Sequence, residues 1–486
     1  MATSEGPSSP KAKRRKLPSN VANSSAPVGQ TANASPDNPS YAKSYLRVSK
    51  ANVYMIIALC VEDFVDDPPE PCKKVGAVLV LPNDVVCAAD CSRDGVHAVA
   101  RLLMKHYDKA KGSKMFMSRK PCPMCAKLLV QSKVERVLFL PFEPEYYRSP
   151  KPLEPDADEK TSEEINKIND EINESNNTQM KQVDNLFTAS AIAQTRFVLQ
   201  VEKPVLEDAE QKTPSKDTRN QIAEETRRLI KKYGFERNPN WMECIKDELP
   251  WPAFDNEIKA EVLEYFDNAM KWMARANVLQ GRGLNYEFEP CSEKSKNSDA
   301  FNPVNNPTHA IQARHFMSIA RFLAERTDDP KAGVGAVIVS PEMEIISLGW
   351  NGFPLKALYG EFPRASKDDK SIVDKKYPYV IHAEQNALLF RNNKNIKGTI
   401  LFVTKSPCNE CAPLIAMQGI ETVVVDDDVL SRDDAAQKSG LGYKKFPDMI
   451  KSGKFVCFQT KEPRADPDPS KASRALQFDD EKQVVA

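Results

Sequence analysis

Two short runs late in the chain bring together residue types that do chemistry: His382-Ala383-Glu384 and Pro407-Cys408-Asn409-Glu410-Cys411. Cys408 and Cys411 stand three apart, so at the start of a helix both thiols leave from one face. His382, in the first turn of another helix, supplies a third donor. Three protein donors on a zinc ion leave its fourth position open for water, the pattern of a reactive site rather than a closed one. Zinc lowers the pKa of that water towards neutrality and makes hydroxide available as a nucleophile. Helix N-termini add potential that favours thiolates and hydroxide. Glu384 suits a proton shuttle, taking a proton from the water and returning it to substrate and leaving group. A closed structural zinc would account for the cysteine pair, but for neither the acid beside the histidine nor the missing fourth donor.

The arrangement occurs twice. Gly76-Ala-Val-Leu-Val80 returns as Gly335-Ala-Val-Ile-Val339, His97-Ala98 as His382-Ala383, and Pro121-Cys122-Pro-Met-Cys125 as Pro407-Cys408-Asn-Glu-Cys411. The chain has five histidines, and two of them precede PCxxC at nearly equal distance, so coincidence explains the pattern poorly. Copy two is longer between its second strand and its histidine helix. This insert, from about Asn351 to Pro378, enters a helix carrying a metal donor, where a substrate pocket is built. In copy one Val99 stands where Glu384 stands in copy two. Valine moves no proton, and general acid–base catalysis is worth about 10²–10⁴-fold. Copy one is therefore expected to keep zinc donors in His97, Cys122 and Cys125 without turning over substrate. It would stabilise its partner copy, form an assembly interface or hold a regulatory nucleotide.

The elements that must position these residues are legible in the apolar pattern. Val53–Val65 reads as a buried helix, and 75–81 and 85–89 as strands parted by Pro82-Asn83-Asp84. A helix over 97–107, a strand over 114–118, a helix over 122–131 and a strand over 134–140 complete copy one. Copy two repeats the order, and the alternation implies an α/β class with sandwiched sheets. The polar stretch from Glu143 to about Asp184 reads as a loop-out with one short helix around Ile165, Ile168 and Ile172. Phe197–Val201 reads as the last strand. Ile222, Thr226, Leu229, Ile230 and Tyr233 share a helical face, as do Ile258, Val262, Tyr265, Ala269 and Trp272. The expected organisation is a disordered tail over 1–44, a degenerate domain over 45–203 and a helical linker over 204–307. A catalytic domain over 308–461 and a disordered tail over 462–486 follow.

Composition narrows the setting. Lys plus Arg and Asp plus Glu are 68 each among 486 residues, so no global charge draws the chain to nucleic acid or to an anionic membrane. No run of about 18 apolar residues suggests a membrane span, and the polar N-terminus lacks a secretory signal core. Eleven cysteines, several as CxxC, then read as reduced thiols and metal donors. The cluster Lys11-Ala-Lys13-Arg14-Arg15-Lys16 is of the kind an import receptor reads, giving an expectation of nucleus and cytoplasm; the plainer reading is a solvated charged tail.

His-x-Glu followed by Pro-Cys-x-x-Cys is the pattern of zinc-dependent nucleobase deaminases. More specifically, Lys376-Tyr-Pro-Tyr-Val-Ile-His-Ala-Glu-Gln-Asn-Ala-Leu388, Gly349-Trp-Asn-Gly-Phe-Pro354 and Ser406-Pro-Cys-Asn-Glu-Cys-Ala412 resemble the deoxycytidylate (dCMP) deaminases of the zinc-dependent cytidine deaminase family. The resemblance is close over about 310–426, holds in outline for copy one and stops at the tails. It implies tandem cytidine deaminase-like three-layer α/β/α sandwiches with mixed sheets. His382, Cys408 and Cys411 would hold Zn²⁺, with Glu384 as proton donor and acceptor. Asn351 would contact the sugar, Phe353 and Pro354 would wall the pocket, and Tyr379 and Ala383 would lie against base or sugar. Arg364 and Lys367 in the insert, and Arg321 and Arg326 on the preceding helix, are candidate phosphate contacts or ordinary solvated charges. The implied reaction is hydrolysis of a free deoxycytidine nucleotide, dCMP or dCTP, to the deoxyuridine nucleotide and ammonia. A homo-oligomer is implied too, with room for a nucleotide effector.

The departures are that copy one lacks the glutamate and the insert, and that Glu361–Lys370 is unusually charged, which leaves the phosphate number open. Three alternatives stand beside this reading. A cytidine or deoxycytidine deaminase would place cysteine where this chain has His382. A polynucleotide cytosine deaminase needs a basic groove and stacking aromatics, against neutral charge and 8% aromatic residues. A non-enzymatic zinc protein would not be expected to keep both Glu384 and the Asn-Gly-Phe-Pro turn.

Overall fold

Copy one alternates helix and strand as the apolar pattern predicts: α1 (Lys50–Val61), β1 (Gly76–Val80), β2 (Val86–Cys91), α2 (Ala98–Lys105), β3 (Lys114–Met117), α3 (Pro123–Gln131) and β4 (Arg136–Phe139). It continues into α4 (Glu159–Ala189) and β5 (Ala193–Arg196), followed by α5 (Lys216–Tyr233) and α6 (Asn256–Leu279). Copy two comprises β6 (Glu287–Pro290), α7 (Glu293–Lys296), α8 (Pro307–Ala324), β7 (Gly335–Val339), β8 (Ile345–Trp350), α9 (Ala383–Leu389), β9 (Ile400–Val403), α10 (Cys411–Met417), β10 (Thr422–Val425), α11 (Lys445–Lys451) and β11 (Val456–Lys461). The computed structural model describes residues 48–152, 159–201, 216–233, 256–279, 286–298, 300–327, 329, 333–354, 379–426 and 442–461. The expected tails, the basic cluster at Lys11–Lys16, Arg364, Lys367 and most of the insert lie outside the described residues.

Helix starts follow the local chemistry. Ser49 caps α1 by accepting from the Asn52 N–H, and Asn306 caps α8, whose first position is Pro307. The strands form one mixed eleven-stranded sheet in the order β5-β4-β3-β1-β2-β8-β7-β9-β10-β11-β6. Within each copy the first hairpin is antiparallel and the later strands are parallel. The copies join where β2 meets β8 antiparallel at Ala89 and Ile345.

Alternation along the strands sorts the core onto two faces. Val78, Val80, Phe116 and Leu138 of copy one share one cluster with Val337, Val339, Phe402 and Val424 of copy two. The intervening residues turn to the opposite face and form two separate clusters, one beneath α2 and α3 and one beneath α9 and α10. Both amphipathic helices cover the shared core: Leu229, Tyr233, Val262, Phe266 and Trp272 are buried in it. Phe266 meets Phe142 with ring centres 6.3 Å apart, and Trp272 meets Phe322 at 5.9 Å, so α6 touches both copies. A polar joint ties the copies beside β2 and β8. Buried Glu344 lies 2.6 Å from His106 Nε2 and 2.5 Å from Lys105 Nζ, while Asn392 donates to the Val86 carbonyl at 2.7 Å.

Three expectations need correction. The polar stretch after Glu143 is not a loop-out: it leads into the 31-residue α4. Its Glu, Lys and Gln residues are good helix formers, and Val183 and Phe187 at its far end anchor it in the core of copy one. The last strand is 193–196, not 197–201. Its pattern is weakly apolar because it is an edge, and Leu199 and Val201 enter the shared core just beyond it. The stretch read as a helical linker also supplies β6, which pairs antiparallel with β11. Among the described residues no helix is long and apolar enough to cross a membrane.

Candidate metal centres

The sheet positions both donor sets in the same way. In copy two His382 precedes the first turn of α9, and Gln385 accepts from the His382 N–H at 3.0 Å, fixing the helix entry. Pro407-Cys408 leads from β9 into α10, which opens with Cys411. The result is convergence: His382 Nδ1 lies 3.3 Å from both Cys408 Sγ and Cys411 Sγ. Ligand atoms on a zinc tetrahedron with ordinary Zn–N and Zn–S distances lie about 3.3–3.8 Å apart, so this donor set fits that ion with little movement. The Cys408 thiol is pulled down to about 4, first by its hydrogen bond with Cys411 and then by His382, against the opposing effect of burial.

Glu384 sits one turn-position inside α9, 5% exposed, its carboxyl pushed up to about 7 by burial. The His382 ring draws it down and the Cys408 thiolate drives it up. A divalent cation between those donors would lower it again. This is a carboxyl able to hold or release a proton near neutral pH. Gly349 allows α9 to pack directly on β8, since a Cβ there would lie 2.2 Å from the Ala383 carbonyl oxygen. Ala383 itself is fully buried in that contact. Just beyond β8, Gly352 pairs with Ile381 through two backbone hydrogen bonds of 3.0 and 2.8 Å, bringing the Asn-Gly-Phe-Pro turn beside His382.

The remaining candidates divide. Phe353, Pro354 and Tyr379 are half-buried where the insert leaves and rejoins the described chain. Asn351 is buried, and its side chain accepts from the Val334 N–H at 2.7 Å and donates to Asp329 at 3.3 Å, so it braces the strand β7 entry. Two of the phosphate candidates are corrected. Arg321 is 1% exposed and forks onto Asp426 with Nε–Oδ2 2.8 Å and Nη2–Oδ1 2.9 Å, while Nη1 donates to the Asn277 carbonyl. Arg326 is buried against the Trp350 ring and donates to the Val48 carbonyl. Arg321 lies in the last turn of α8 and Arg326 just beyond it, and both tie that end of the helix to the elements around it.

Copy one reproduces the geometry with a difference. His97 Nδ1 lies 3.5 Å from Cys122 Sγ and 3.4 Å from Cys125 Sγ. Val99, in the place of Glu384, is fully buried among apolar residues. A fourth donor, Glu145, joins these three within the same small space. Sequence reading missed it because it sits in the polar stretch after β4, far along the chain from both halves of the motif.

The model of the cytidine and deoxycytidylate deaminase zinc-binding region matches this chain twice, at residues 49–141 and 310–426. The chain is 26% identical to the cytidine and dCMP deaminase domain-containing protein 1 of Danio rerio over 84% of its own length and 89% of the relative's. It is 38% identical to the deoxycytidylate deaminase of Homo sapiens over 27% of its own length and 78% of that enzyme. To the deoxycytidylate deaminase of Mycobacterium phage D29 it is 37% identical over 23% of its length and 90% of that enzyme. With each matched region containing one of the two convergent His-Cys-Cys sets, the chain belongs to the cytidine and deoxycytidylate deaminase family, whose zinc-binding region it carries twice.

Proposed function

We propose that copy two removes the exocyclic amine of a free deoxycytidine nucleotide, dCMP or dCTP, by hydrolysis, giving the deoxyuridine nucleotide and ammonia. The observation that carries this reading is the buried Glu384 carboxyl two residues beyond His382, next to thiols that converge on that imidazole at 3.3 Å. When bound by His382, Cys408 and Cys411, zinc supplies Lewis acidity that readies water as a nucleophile at neutral pH. Glu384 does the proton work. Its carboxylate accepts a proton from the attacking water and delivers it to the ring nitrogen beside the attacked carbon, then takes the remaining proton from the added hydroxyl and passes it to the departing amine, which leaves as ammonia. Its burial keeps that proton from exchanging with bulk solvent and tunes the group towards neutral pH. The paired Gly352 and Ile381 hold the Asn-Gly-Phe-Pro turn beside His382.

The nucleotide preference is supported by likeness to deoxycytidylate deaminases and by the Asn-Gly-Phe-Pro turn. The test is turnover of cytidine, deoxycytidine, dCMP, dCTP and a cytosine-containing single strand by the full chain, with the uracil product followed by mass. Turnover of one free deoxynucleotide, reduced at least about 10²-fold in Glu384→Ala with zinc content unchanged, is the expected result. Reaction of the single strand alone would replace the nucleotide reading with a polynucleotide one.

A further inference from the structure

Copy one has lost the acid that a hydrolytic site needs, yet it keeps a buried acid in a different place. Glu145 is 1% exposed and is set there by the backbone around it. Its N–H donates to the Lys120 carbonyl at 2.9 Å, its own carbonyl accepts from Lys73 at 2.8 Å, and the neighbouring Tyr146 bridges to Cys72. These contacts hold the segment after β4 against the loop that enters α3. One carboxylate oxygen, Oε2, accepts from the Cys122 N–H at 3.0 Å. The other, Oε1, lies 2.9 Å from His97 Nδ1.

His97 Nδ1 is thus ringed by Cys122 Sγ at 3.5 Å, Cys125 Sγ at 3.4 Å and Glu145 Oε1 at 2.9 Å. One ring nitrogen carries at most one proton and cannot donate to all three. A carboxylate buried beside two thiols, with one imidazole among them, crowds four electron-rich donor atoms together where burial makes any unpaired charge costly. A divalent cation at the centre satisfies every one of these atoms. On a zinc tetrahedron with nitrogen, sulfur and carboxylate ligands the edges are about 3.3–3.8 Å, so the four atoms need to move only a few tenths of an ångström.

We propose that Glu145 is the fourth ligand of a closed zinc site in copy one, completing His97, Cys122 and Cys125 and leaving no coordination position for water or substrate. The two copies then exchange the place of their acid. Copy two has Glu384 in the proton-shuttle position, and the offset that relates Cys122 to Cys408 and Arg136 to Thr422 gives Ser431 in its sequence at the number matching Glu145. Copy one has Val99 in the shuttle position and Glu145 among the donors. The closed site is a clasp, tying the starts of α2 and α3 to the segment that leads into α4.

The test uses the full chain with copy two's metal site removed by Cys408→Ser and Cys411→Ser, so that any remaining tight metal belongs to copy one. Metal analysis is expected to give one zinc per chain. Substituted with Co²⁺, this protein is expected to show a four-coordinate visible spectrum that azide does not change, because no position is open. Adding Glu145→Ala is expected to weaken zinc retention against a chromophoric chelator by at least about 100-fold, beyond the usual cost of losing a merely supporting partner. It should also make the Co²⁺ spectrum respond to azide. Glu145→Asp, which keeps the carboxylate, should bind zinc more tightly than Glu145→Ala and guards against misfolding of the alanine variant. An azide-responsive spectrum before Glu145 is touched would overturn the proposal, as would unchanged zinc affinity in a folded Glu145→Ala chain.

Discussion

Arg321 offers the sharpest separation between a residue that holds the fold and one that holds substrate. Its guanidinium is buried, forks onto Asp426 at 2.8 and 2.9 Å, donates to Asn277 and lies 4.7 Å over the Tyr286 ring. Asp426 directly follows β10 and also accepts from Thr460 Oγ1 at 3.1 Å. One side chain therefore gathers α6, α8 and the ends of β10 and β11. Arg321→Met would leave the Asp426 carboxylate buried with a single neutral donor from this group, at a cost of about 3–5 kcal/mol for breaking a buried pair by one side. Replacing both partners, Arg321→Met with Asp426→Leu, removes the stranded charge and should recover most of that loss. Equilibrium urea unfolding followed by tryptophan fluorescence reads both, because Trp272 and Trp350 pack in the same core. The KM for whichever nucleotide the native chain turns over should be unchanged in whatever fraction remains folded. A loss of stability within about 0.5 kcal/mol, typical of a surface change, together with a raised KM, would return Arg321 to the nucleotide and refute the structural role.

The joint between the copies should carry a pH signature. Burial disfavours the charged form of His106, but hydrogen bonds with Cys87 and Glu344 overcome it and raise the pKa to about 9. Burial likewise opposes the Glu344 carboxylate, which hydrogen bonds from His106 and Lys105 hold below its ordinary 4.5. The histidine's contribution is full below its ordinary 6.5 and lost as pH rises through about 9; the carboxylate's is present above 4.5 and lost as pH falls beneath it. The stability difference between the native chain and Glu344→Gln should therefore be largest in the neutral range and shrink above pH 9, and a flat difference across that range would count against the pairing. Close packing makes a second prediction: a Cβ on Gly76 would sit 1.9 Å from the Ala58 carbonyl oxygen, and one on Gly335 equally close to that of Ala320. Gly335→Ala should cost about 1–3 kcal/mol or more through forced backbone movement, and an unchanged melting temperature would disprove the contact.

Much of this was legible because the repeat aligned it. Gly76 and Gly335, His97 and His382, and the two cysteine pairs mark equivalent places, and the strand pattern of alternating buried residues fixed the helices on either side. Val99 against Glu384 distinguished the copies from two letters. What escaped had physical reasons. A long polar helix such as α4 has the composition of a loop; its apolar anchors, Val183 and Phe187, stand near its end, and Asn169 and Asn176 tie the rest to the backbone of Lys151 and Arg148. The edge strand β5 has too little apolar content to stand out. Arg321 looked like a ligand for phosphate because charge is usually solvated, and only three-dimensional contact reveals Asp426, more than a hundred residues on, as its partner. Glu145 is the same kind of case, a carboxylate recruited from outside the motif.

The two sites separate what positions a metal from what reacts on it. In both copies the donors stand on helix starts held against the same face of one sheet, and neither set depends on the residue two positions past the histidine. That residue can be Val99, fully buried among apolar neighbours, or Glu384, equally enclosed but ionisable. The valine suits its surroundings, whereas burying a carboxyl there costs free energy that is offset only by chemistry or by a neighbouring cation. A copy relieved of catalysis loses nothing from the scaffold by taking valine, but it still presents three donors with a fourth position open to water. Glu145 closes that position from a segment anchored at Lys120 and Lys73. The same closure that ends reactivity makes the metal a permanent support, and the support stands next to the copy that keeps its acid, through β2, β8 and the core shared by α1, α6 and α8.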